Sequence, residues 1–387
     1  MSSRAKRLTT EVGFPISCIG VTVNNEVVLG GGGGPGRSGV KNKLAVYSID
    51  GAELRLNRTS EAILSSSEDA PTCLAIHPKE RALVCSINAS KEDIQKGGNS
   101  NCRVFELAKK SIKAGSKATK TICSTSDFDY QKCIAIDPPG KLVAGGSTDG
   151  TLAVVQYPSL RQAFPFVEAA GEVNDVDFNS SGKWLAVATD KELKVISTKD
   201  GSLVQNIDEP HTASGQPAVF RFAKFGTSSK SKLKSGVELK NVLYTVLNTK
   251  SRKQAYIAMW DAKQWTRLAT RPVCQSAITT FALSPSGNLL AVATASLQIA
   301  ICDAHTLKVL LRIPAAHSFA ITALAFDRHD EYLISGSADE TCQVIKLPRI
   351  WPTTLDGVAD LVMTNIQAVA VLMVLLLAIL AALVMRR

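Results

Sequence analysis

Apolar and polar residues alternate along most of this chain in short segments that predict β-strands. Residues 178–189 combine a strand end, a four-residue turn that contains glycine, and a second, apolar strand. The same pattern recurs at residues 136–147, 283–294 and 326–337. A further short strand follows each copy, so each unit is predicted to be a small sheet whose strands pair with their sequence neighbours.

The spacing of these units predicts the fold. The well-formed copies lie roughly 40–45 residues apart, which is the period of a WD-type propeller blade. Weaker copies occur at residues 72–86 and 218–246, and Trp260-Asp261 is the only WD dipeptide of the sequence. Together with the repeat around residues 27–47, the pattern predicts an all-β, seven-bladed WD-type β-propeller over residues 1–350.

The pattern changes after the last repeat. Residues 361–385 contain no charged side chain. As a helix this segment would be about 37 Å long, enough to cross a hydrocarbon core of about 30 Å. We therefore predict a transmembrane helix at 361–385, preceded by a short juxtamembrane linker at 351–360 and followed by a lumenal tip at 386–387.

The orientation of this span follows from the rest of the chain. Arg386 and Arg387 would favour a cytosolic C-terminus, but that would require translocating the propeller, and residues 1–8 precede no apolar signal segment. Nine cysteines without close pairs fit a reducing compartment. We expect the propeller in the cytosol.

Composition and charge narrow the classes of function. The formal net charge of +10 predicts attraction to an anionic surface, either phospholipid or an acidic partner. The sequence lacks zinc-ligand spacing and interleaved basic and aromatic residues, so nucleic acid is not expected as a partner. It also lacks a convergent Ser/His/Asp or Cys/His set, and His77 and His317 are interpreted as residues that brace blades. The lysine-rich segments 88–101, 109–120 and 226–236 are predicted to be solvated loops, with contact to anionic lipid as the alternative.

One segment departs from the repeat. Five consecutive glycines begin the 15-residue stretch 30–44, which connects two apolar strands. Hairpins normally need two to five residues, and the third blade uses the short turn 147–150 at the corresponding place. Because glycine loses more conformational entropy on ordering than any other residue, the run indicates backbone that must meet a ligand. A disordered surface loop is the alternative.

Two phosphate-binding motifs are excluded for this loop. Residues 34–39 formally match the dinucleotide fingerprint, which must open a helix. Residues 43–49 are β-branched and aromatic and predict a strand instead. A P-loop would need lysine after its last glycine, and Val40 follows Gly39.

The loop resembles that of a known family. Its glycine-rich start, Gly39-Val40 and Asn42-Lys43-Leu44 are similar to the potassium-binding loop of the endoplasmic-reticulum exchange factor for the Sar-type GTPase, the family that includes the prolactin regulatory element-binding protein. Segments 69–72, 316–322 and 345–348 are also similar to segments of that family. The resemblance covers the whole chain.

The resemblance implies a function and a set of site residues. It implies a guanine-nucleotide exchange factor without covalent chemistry, which promotes GDP release from the GTPase that starts COPII coat assembly at the endoplasmic reticulum. Asn42 is implied as the catalytic residue. A potassium ion is implied to lie on the backbone carbonyls of Gly30, Gly31, Gly32, Gly33, Gly34, Gly39 and Val40. Contacts to the GTPase are implied for Arg37, Val40, Lys41, Asn42 and Pro71, although Pro71 also fits a role in shaping the start of a strand.

A second class of function stays open at this point. A tail-anchored propeller that only docks an endoplasmic-reticulum complex would have the same repeats and the same apolar segment. The glycine loop favours exchange, since a scaffold does not need it.

The position of Asn42 carries its own expectation. Because Asn42 lies in a loop, we expect its side chain to contribute little to the core. Asn42→Ala is then expected to change the free energy of unfolding by no more than about 0.5 kcal/mol. If the amide faces the nucleotide site of the GTPase, the same change is expected to slow GDP release by about 100-fold or more, as for the loss of one preorganised donor. The alternative is that Asn42 only tolerates a left-handed turn conformation. In that case Asn42→Ala would impair folding first, and Asn42→Gly would leave exchange unchanged.

The predicted topology can be tested through glycosylation. Asn57, Asn88 and Asn179 begin Asn-X-Ser/Thr sequons, which are modified in the lumen. We predict that all three are unmodified in cells, measured as unchanged electrophoretic mobility after treatment with an endoglycosidase. Glycan on any of the three would place the repeats in the lumen.

Overall fold

The predicted propeller is confirmed. The computed structural model describes residues 6–36, 38–208, 210–212, 215–349 and 351. Within these residues, seven four-stranded antiparallel sheets form between Arg7 and Lys346. The first strand of each sheet contacts the first strands of both neighbouring sheets, so these strands line a ring around a central axis.

The strands follow the repeat blade by blade. The first four blades comprise β2 (Ile16–Val21), β3 (Val27–Gly31), β4 (Lys43–Asp50) and β5 (Arg55–Ile63); β6 (Cys73–Ile76), β7 (Ala82–Ser86), β8 (Cys102–Leu107) and β9 (Ile112–Thr119); β10 (Gln131–Ile136), β11 (Leu142–Ser147), β12 (Thr151–Gln156) and β13 (Val167–Glu168); and β14 (Val173–Phe178), β15 (Trp184–Thr189), β16 (Glu192–Ser197) and β17 (Leu203–Asp208). The last three comprise β18 (Ala218–Phe225), β19 (Val242–Thr249), β20 (Ala255–Asp261) and β21 (Arg267–Cys274); β22 (Ile278–Leu283), β23 (Leu289–Thr294), β24 (Ile299–Asp303) and β25 (Val309–Ile313); and β26 (Ile321–Phe326), β27 (Tyr332–Ser337) and β28 (Thr341–Lys346) with β1 (Arg7–Glu11).

The seventh blade closes the ring with a strand from the other end of the chain. Strand β1 pairs antiparallel with β28, with Arg7 opposite Ile345 and Glu11 opposite Thr341. The repeat pattern did not predict this strand, because most of its residues are polar and exposed. Its pairing completes the seventh blade, so the two ends of the propeller segment meet in one sheet.

Polar side chains link the innermost strands of successive blades. Asn174 donates through Nδ2 to the carbonyl of Phe220 at 3.0 Å, and Thr72 donates through Oγ1 to the carbonyl of Gln131 at 2.8 Å. Side-chain contacts to the next blade are also made from the innermost strands by Ser17, Cys133, Thr279 and Thr322, and from the second strand of the fifth blade by Asn248. Every junction in the ring therefore has a hydrogen-bonded tie.

The cores lie within and between the blades. Val27, Val28, Leu29 and Leu44 of the first blade are fully buried. The nine cysteines are free, and eight of them are buried, as the sequence predicts for reduced thiols. Burial raises the pKa of the Cys102 thiol to about 12, so this side chain stays protonated.

Both predicted bracing histidines are confirmed. His317 Nε2 lies 2.9 Å from Ser335 Oγ and its Nδ1 lies 2.9 Å from Thr341 Oγ1. Burial lowers the pKa of His317, against the opposing effect of the Asp339 carboxylate. His77 Nε2 lies 3.0 Å from the carbonyl of Gly140 in the next blade.

Two of the three lysine-rich segments differ from the predicted solvated loops. Residues 112–119 form the outer strand β9, in which only Ile112 is buried. The exposed lysines of this strand give it the polar pattern of a loop. Residues 88–101 contain the short helix α1 (Lys91–Gln95) and three buried asparagines, Asn88, Asn99 and Asn101. The third segment, 226–236, is a loop with Lys230, Lys232 and Lys234 exposed, as predicted.

The predicted membrane segment is not part of the described structure. Apart from Trp351, the linker predicted at 351–360 lies outside the described residues, as do the helix predicted at 361–385 and the tip at 386–387. Of the helices that are described, none has the length and apolar character needed to cross a membrane.

Strand direction defines two ends of the propeller. Because neighbouring strands of a blade are antiparallel, the loops between second and third strands lie at the same end as the loops that lead from one blade to the next. We call this the upper end. The connection between β3 and β4, which contains the glycine loop, lies there.

Candidate functional site

The glycine loop is held at its base by two strands of the first blade. Gly30 and Gly31 are the last residues of β3, opposite Leu44 and Lys43 of β4. The Gly30 carbonyl also accepts a hydrogen bond of 3.0 Å from Ser17 Oγ. These two glycines therefore belong to the sheet, and the loop proper comprises residues 32–42.

The loop folds back so closely that several positions admit only glycine. A Cβ on Gly31 would lie 2.0 Å from the carbonyl oxygen of Pro15, and one on Gly33 would lie 1.9 Å from Ser38 Oγ. Gly32 and Gly34 have φ angles of +146° and +76°, which favour glycine. The run of glycines is therefore explained by close backbone approach and by left-handed turns in an ordered loop.

Asn42 holds this loop from inside. Its Oδ1 accepts a hydrogen bond of 2.9 Å from the Gly34 N–H, and its Nδ2 donates to the Gly34 carbonyl at 3.2 Å. Nδ2 also donates to the carbonyl of Glu68 at 2.9 Å. The side-chain amide thus pairs with both backbone groups of Gly34, as a neighbouring strand would, and ties the loop to residue 68.

This geometry corrects the expectation that the Asn42 side chain does little for the core. Asn42 is 2% exposed, and its amide points into the protein. Removing the amide would leave partly buried backbone groups of Gly34 and Glu68 without these hydrogen bonds. The expected stability change of no more than about 0.5 kcal/mol applies to exposed positions, so the burial of Asn42 contradicts the premise of that prediction.

The segment that leads into the second blade forms the floor beneath the loop. Arg103 donates two hydrogen bonds to the Glu68 carboxylate, at 2.9 and 2.7 Å. Asp69 lies next to Gly34, whose Cβ would be 3.4 Å from Asp69 Oδ1. Burial raises the pKa of Asp69, partly offset by the hydrogen bond from the Ala70 N–H.

Pro71 is buried and lies against the base of the loop. A Cβ on Gly30 would be 3.1 Å from Pro71 Cβ, and the Pro71 carbonyl accepts a hydrogen bond from Ser17. The residue therefore shapes the start of the second blade. It does not form part of the exposed surface, where a partner contact was implied.

The remaining predicted residues lie around the tip of the loop. Gly39 and Lys41 are exposed. Val40 is half-buried and packs against the core of the first blade, while its N–H donates to Ser38 Oγ at 3.3 Å. Arg37 lies outside the described residues.

Oxygen atoms of several kinds converge on the glycines. The Lys41 carbonyl and Asn42 Oδ1 lie within 2.9 Å of a Cβ built on Gly32, and the Val40 carbonyl lies 3.0 Å from one on Gly33. No group of three or more His, Cys, Asp or Glu side chains that could hold a metal occurs among the described residues. The donors available at the loop are thus mainly backbone and amide oxygens, with one carboxylate nearby.

Sequence reasoning missed the residues that order the loop. Ser38, Glu68 and Arg103 received no role, because they are ordinary polar residues in sequence. Only the family resemblance of segment 69–72 points to the region around Asp69. Its proximity to Gly34 depends on the packing of the first blade against the second.

Known proteins share both the repeats and most of the chain. The family model described as "WD domain, G-beta repeat" matches residues 165–197 and 307–346. The chain is 28% identical to the guanine nucleotide-exchange factor SEC12 of Candida glabrata, over 87% of this chain and 72% of the relative. It is 26% identical to SEC12-like protein 2 of Arabidopsis thaliana, over 80% and 73% of the two chains. It is 24% identical to the guanine nucleotide-exchange factor SEC12 of Rattus norvegicus, over 87% and 89%.

The buried amide of Asn42 generates a stability prediction. Asn42→Ala removes three hydrogen bonds of a buried side chain and leaves partly buried backbone groups without these partners, so we expect the free energy of unfolding to fall by about 1–3 kcal/mol. Urea denaturation followed by tryptophan fluorescence measures it. Asn57→Ala, at an exposed position of β5, is the matched control and should change stability by less than about 0.5 kcal/mol. Equal stability of the two variants would show that the Asn42 amide does not stabilise the loop.

Proposed function

We propose that this chain is a guanine nucleotide-exchange factor of the SEC12 type, and that it promotes GDP release from the Sar-type small GTPase at the endoplasmic-reticulum membrane. The observation that carries this proposal is the ordered glycine loop on the upper end of the first blade. In contrast, the third blade turns between Ser147 and Thr151 with three residues. The loop is thus a local addition to a regular scaffold, where propellers carry their function.

Exchange requires a difference in affinity and no covalent step. A factor accelerates GDP release when it binds the nucleotide-free GTPase more tightly than the GDP-bound form. A thousandfold acceleration corresponds to roughly 4 kcal/mol of such a difference. A surface that is already ordered provides this difference in binding free energy more efficiently, since little conformational entropy is lost on binding.

The geometry suggests how the loop meets this requirement. Asn42 fixes Gly34 and Glu68 relative to each other, while Gly36, Gly39 and Lys41 form an exposed tip. We therefore assign Asn42 a positioning role: it holds the tip in the shape that inserts at the nucleotide site. The contact with the GTPase is made by the tip, and the importance of Asn42 to exchange is indirect.

A potassium ion fits the donors of the loop. Backbone carbonyls are the ligands that select potassium in proteins, and the Val40 and Lys41 carbonyls, Asn42 Oδ1 and the Asp69 carboxylate surround Gly32 to Gly34. Gly30 and Gly31 are committed to the sheet, so the ligands proposed here are the carbonyls of Gly32, Gly33, Gly34, Gly39 and Val40. A bound cation would stabilise a loop in which several carbonyl oxygens face one site, because these oxygens repel one another when the site is empty.

The proposed location rests on the sequence beyond the propeller. We propose that residues 361–385 form a single span in the endoplasmic-reticulum membrane, with the propeller in the cytosol. The apolar length of this segment supports the span, and the free, mostly buried cysteines support a reducing compartment. In this arrangement the factor meets the GTPase at the surface where the coat assembles.

The exchange function is tested by measuring GDP release. The full chain in nanodiscs should accelerate release of a fluorescent GDP analogue from the GTPase by about a hundredfold or more. In a matched variant, residues 32–42 are replaced by Thr-Asp-Gly, the turn of the third blade. This variant should retain the melting temperature within a few degrees and lose most of the acceleration, because the scaffold remains and the tip is gone.

Two results would contradict the proposal. If the full chain binds the GTPase without accelerating release, it acts as a docking scaffold. If the loop-replaced variant accelerates release as strongly as the natural chain, exchange occurs elsewhere on the propeller.

The ion is tested separately from exchange. Replacing potassium by lithium at constant ionic strength should lower both the exchange rate and the melting temperature of the full chain. Lithium is smaller and binds its water more tightly, so carbonyls spaced for potassium hold it poorly. The loop-replaced variant is the control, and its melting temperature should be the same in both salts. Identical melting temperatures for the natural chain would refute a structural cation.

A further inference from the structure

Phe128 is the most exposed large apolar side chain in the described part of the chain, at 86%. It lies in the loop that leads from β9 of the second blade to β10 of the third, with Tyr130 37% exposed beside it. Burying a phenylalanine side chain contributes about 1.5–3 kcal/mol. An exposed phenylalanine does not gain this free energy. Its exposure is significant here if the backbone of the loop keeps the ring from turning inward.

Hydrogen bonds on both sides fix the loop that carries Phe128. Before it, the N–H groups of Cys123 and Ser124 donate to Asp149 Oδ2 at 3.0 and 2.8 Å. After it, the Tyr130 N–H donates to Thr148 Oγ1 at 3.0 Å. The Phe128 N–H itself donates to Ser126 Oγ at 3.2 Å. The ring is therefore presented from a braced backbone.

The loop is connected to the proposed exchange site. Asn42 donates to the carbonyl of Glu68, and the next residue, Asp69, donates through its N–H to the carbonyl of Asn88 at 3.0 Å. Asn88 in turn donates through Nδ2 to the carbonyl of Asp129 at 2.8 Å. This chain of contacts joins the glycine loop to the residue after Phe128, and both loops lie at the upper end.

We propose that Phe128 is an apolar anchor for the same GTPase, inserting into an apolar recess beside the region contacted by the glycine loop. The proposal rests on the proposed exchange function. The Phe128 loop lies at the same end of the propeller as the glycine loop and is joined to it by these hydrogen bonds, so a partner that contacts the glycine loop is positioned to contact Phe128 as well. Aromatic side chains that are ordered before binding are typical energetic centres of interfaces, because few rotamers are lost when they become buried.

The test compares single variants of the full chain in nanodiscs. Phe128→Ala should weaken affinity for the nucleotide-free GTPase about ten- to a hundredfold, the loss expected for an aromatic anchor. The melting temperature should not change, because the ring contacts solvent. Phe128→Leu should restore part of the affinity. Leu203→Ala is the matched control: it removes a side chain that is 58% exposed on the outer strand of the fourth blade, and its affinity should equal that of the natural chain.

The outcomes separate this inference from the exchange function. If the natural chain binds and accelerates release while Phe128→Ala behaves like Leu203→Ala, the anchor is refuted and the exchange function stands. If neither the natural chain nor any variant binds the GTPase, the exchange function fails and the anchor fails with it. If Phe128→Ala retains GTPase affinity but abolishes self-association in analytical ultracentrifugation, the occupant of this surface is a second copy of the chain and the proposal is overturned.

Discussion

Hydrogen bonds between neighbouring blades are the interactions on which the rest of this structure depends. Each blade pairs its own strands internally and packs apolar side chains against the next blade, but apolar packing is not directional and does not by itself fix one orientation. Side chains such as Ser17, Thr72 and Thr322 reach the backbone of the adjoining blade. At about 0.5–1.5 kcal/mol each, these contacts are modest individually, but together they run around the whole ring. The loops of the upper end are held in one arrangement as a result.

The glycine loop is rigid for reasons that glycine alone does not suggest. Its residues approach Pro15 and Ser38 too closely for any side chain, and the buried amide of Asn42 pairs with Gly34. The glycines are flexible in the unfolded chain, but in the folded protein these contacts hold the loop in one conformation. An exchange factor benefits from this, because an ordered tip distinguishes two states of its partner more sharply than a mobile one. The braced loop of Phe128 follows the same principle with an aromatic side chain.

The fold was largely predictable from the sequence, whereas the arrangement of the site was not. The blade period depends on local alternation and on turns, which short segments carry by themselves. Strand β1 was missed because its residues are polar and exposed, and β9 was missed because lysines cover an outer strand with one buried residue. The orientation of Asn42 depends on the carbonyl of Glu68, which lies 26 residues away. The burial of Pro71 likewise arises from packing between blades, which no local pattern records.

The pairing of β1 with β28 also has a consequence for the synthesis of the protein. Glu11 and its partner Thr341 are separated by 330 residues, so at about 5–20 residues per second the ribosome needs roughly 15–65 s to supply the closing strand. Throughout that interval β1 has no place in a sheet, and the first blade has no neighbour on one side. Unpaired strand edges promote association with other chains. The nascent protein therefore carries an unpaired strand until β28 (Thr341–Lys346) has been synthesised, and this edge is protected only from then on.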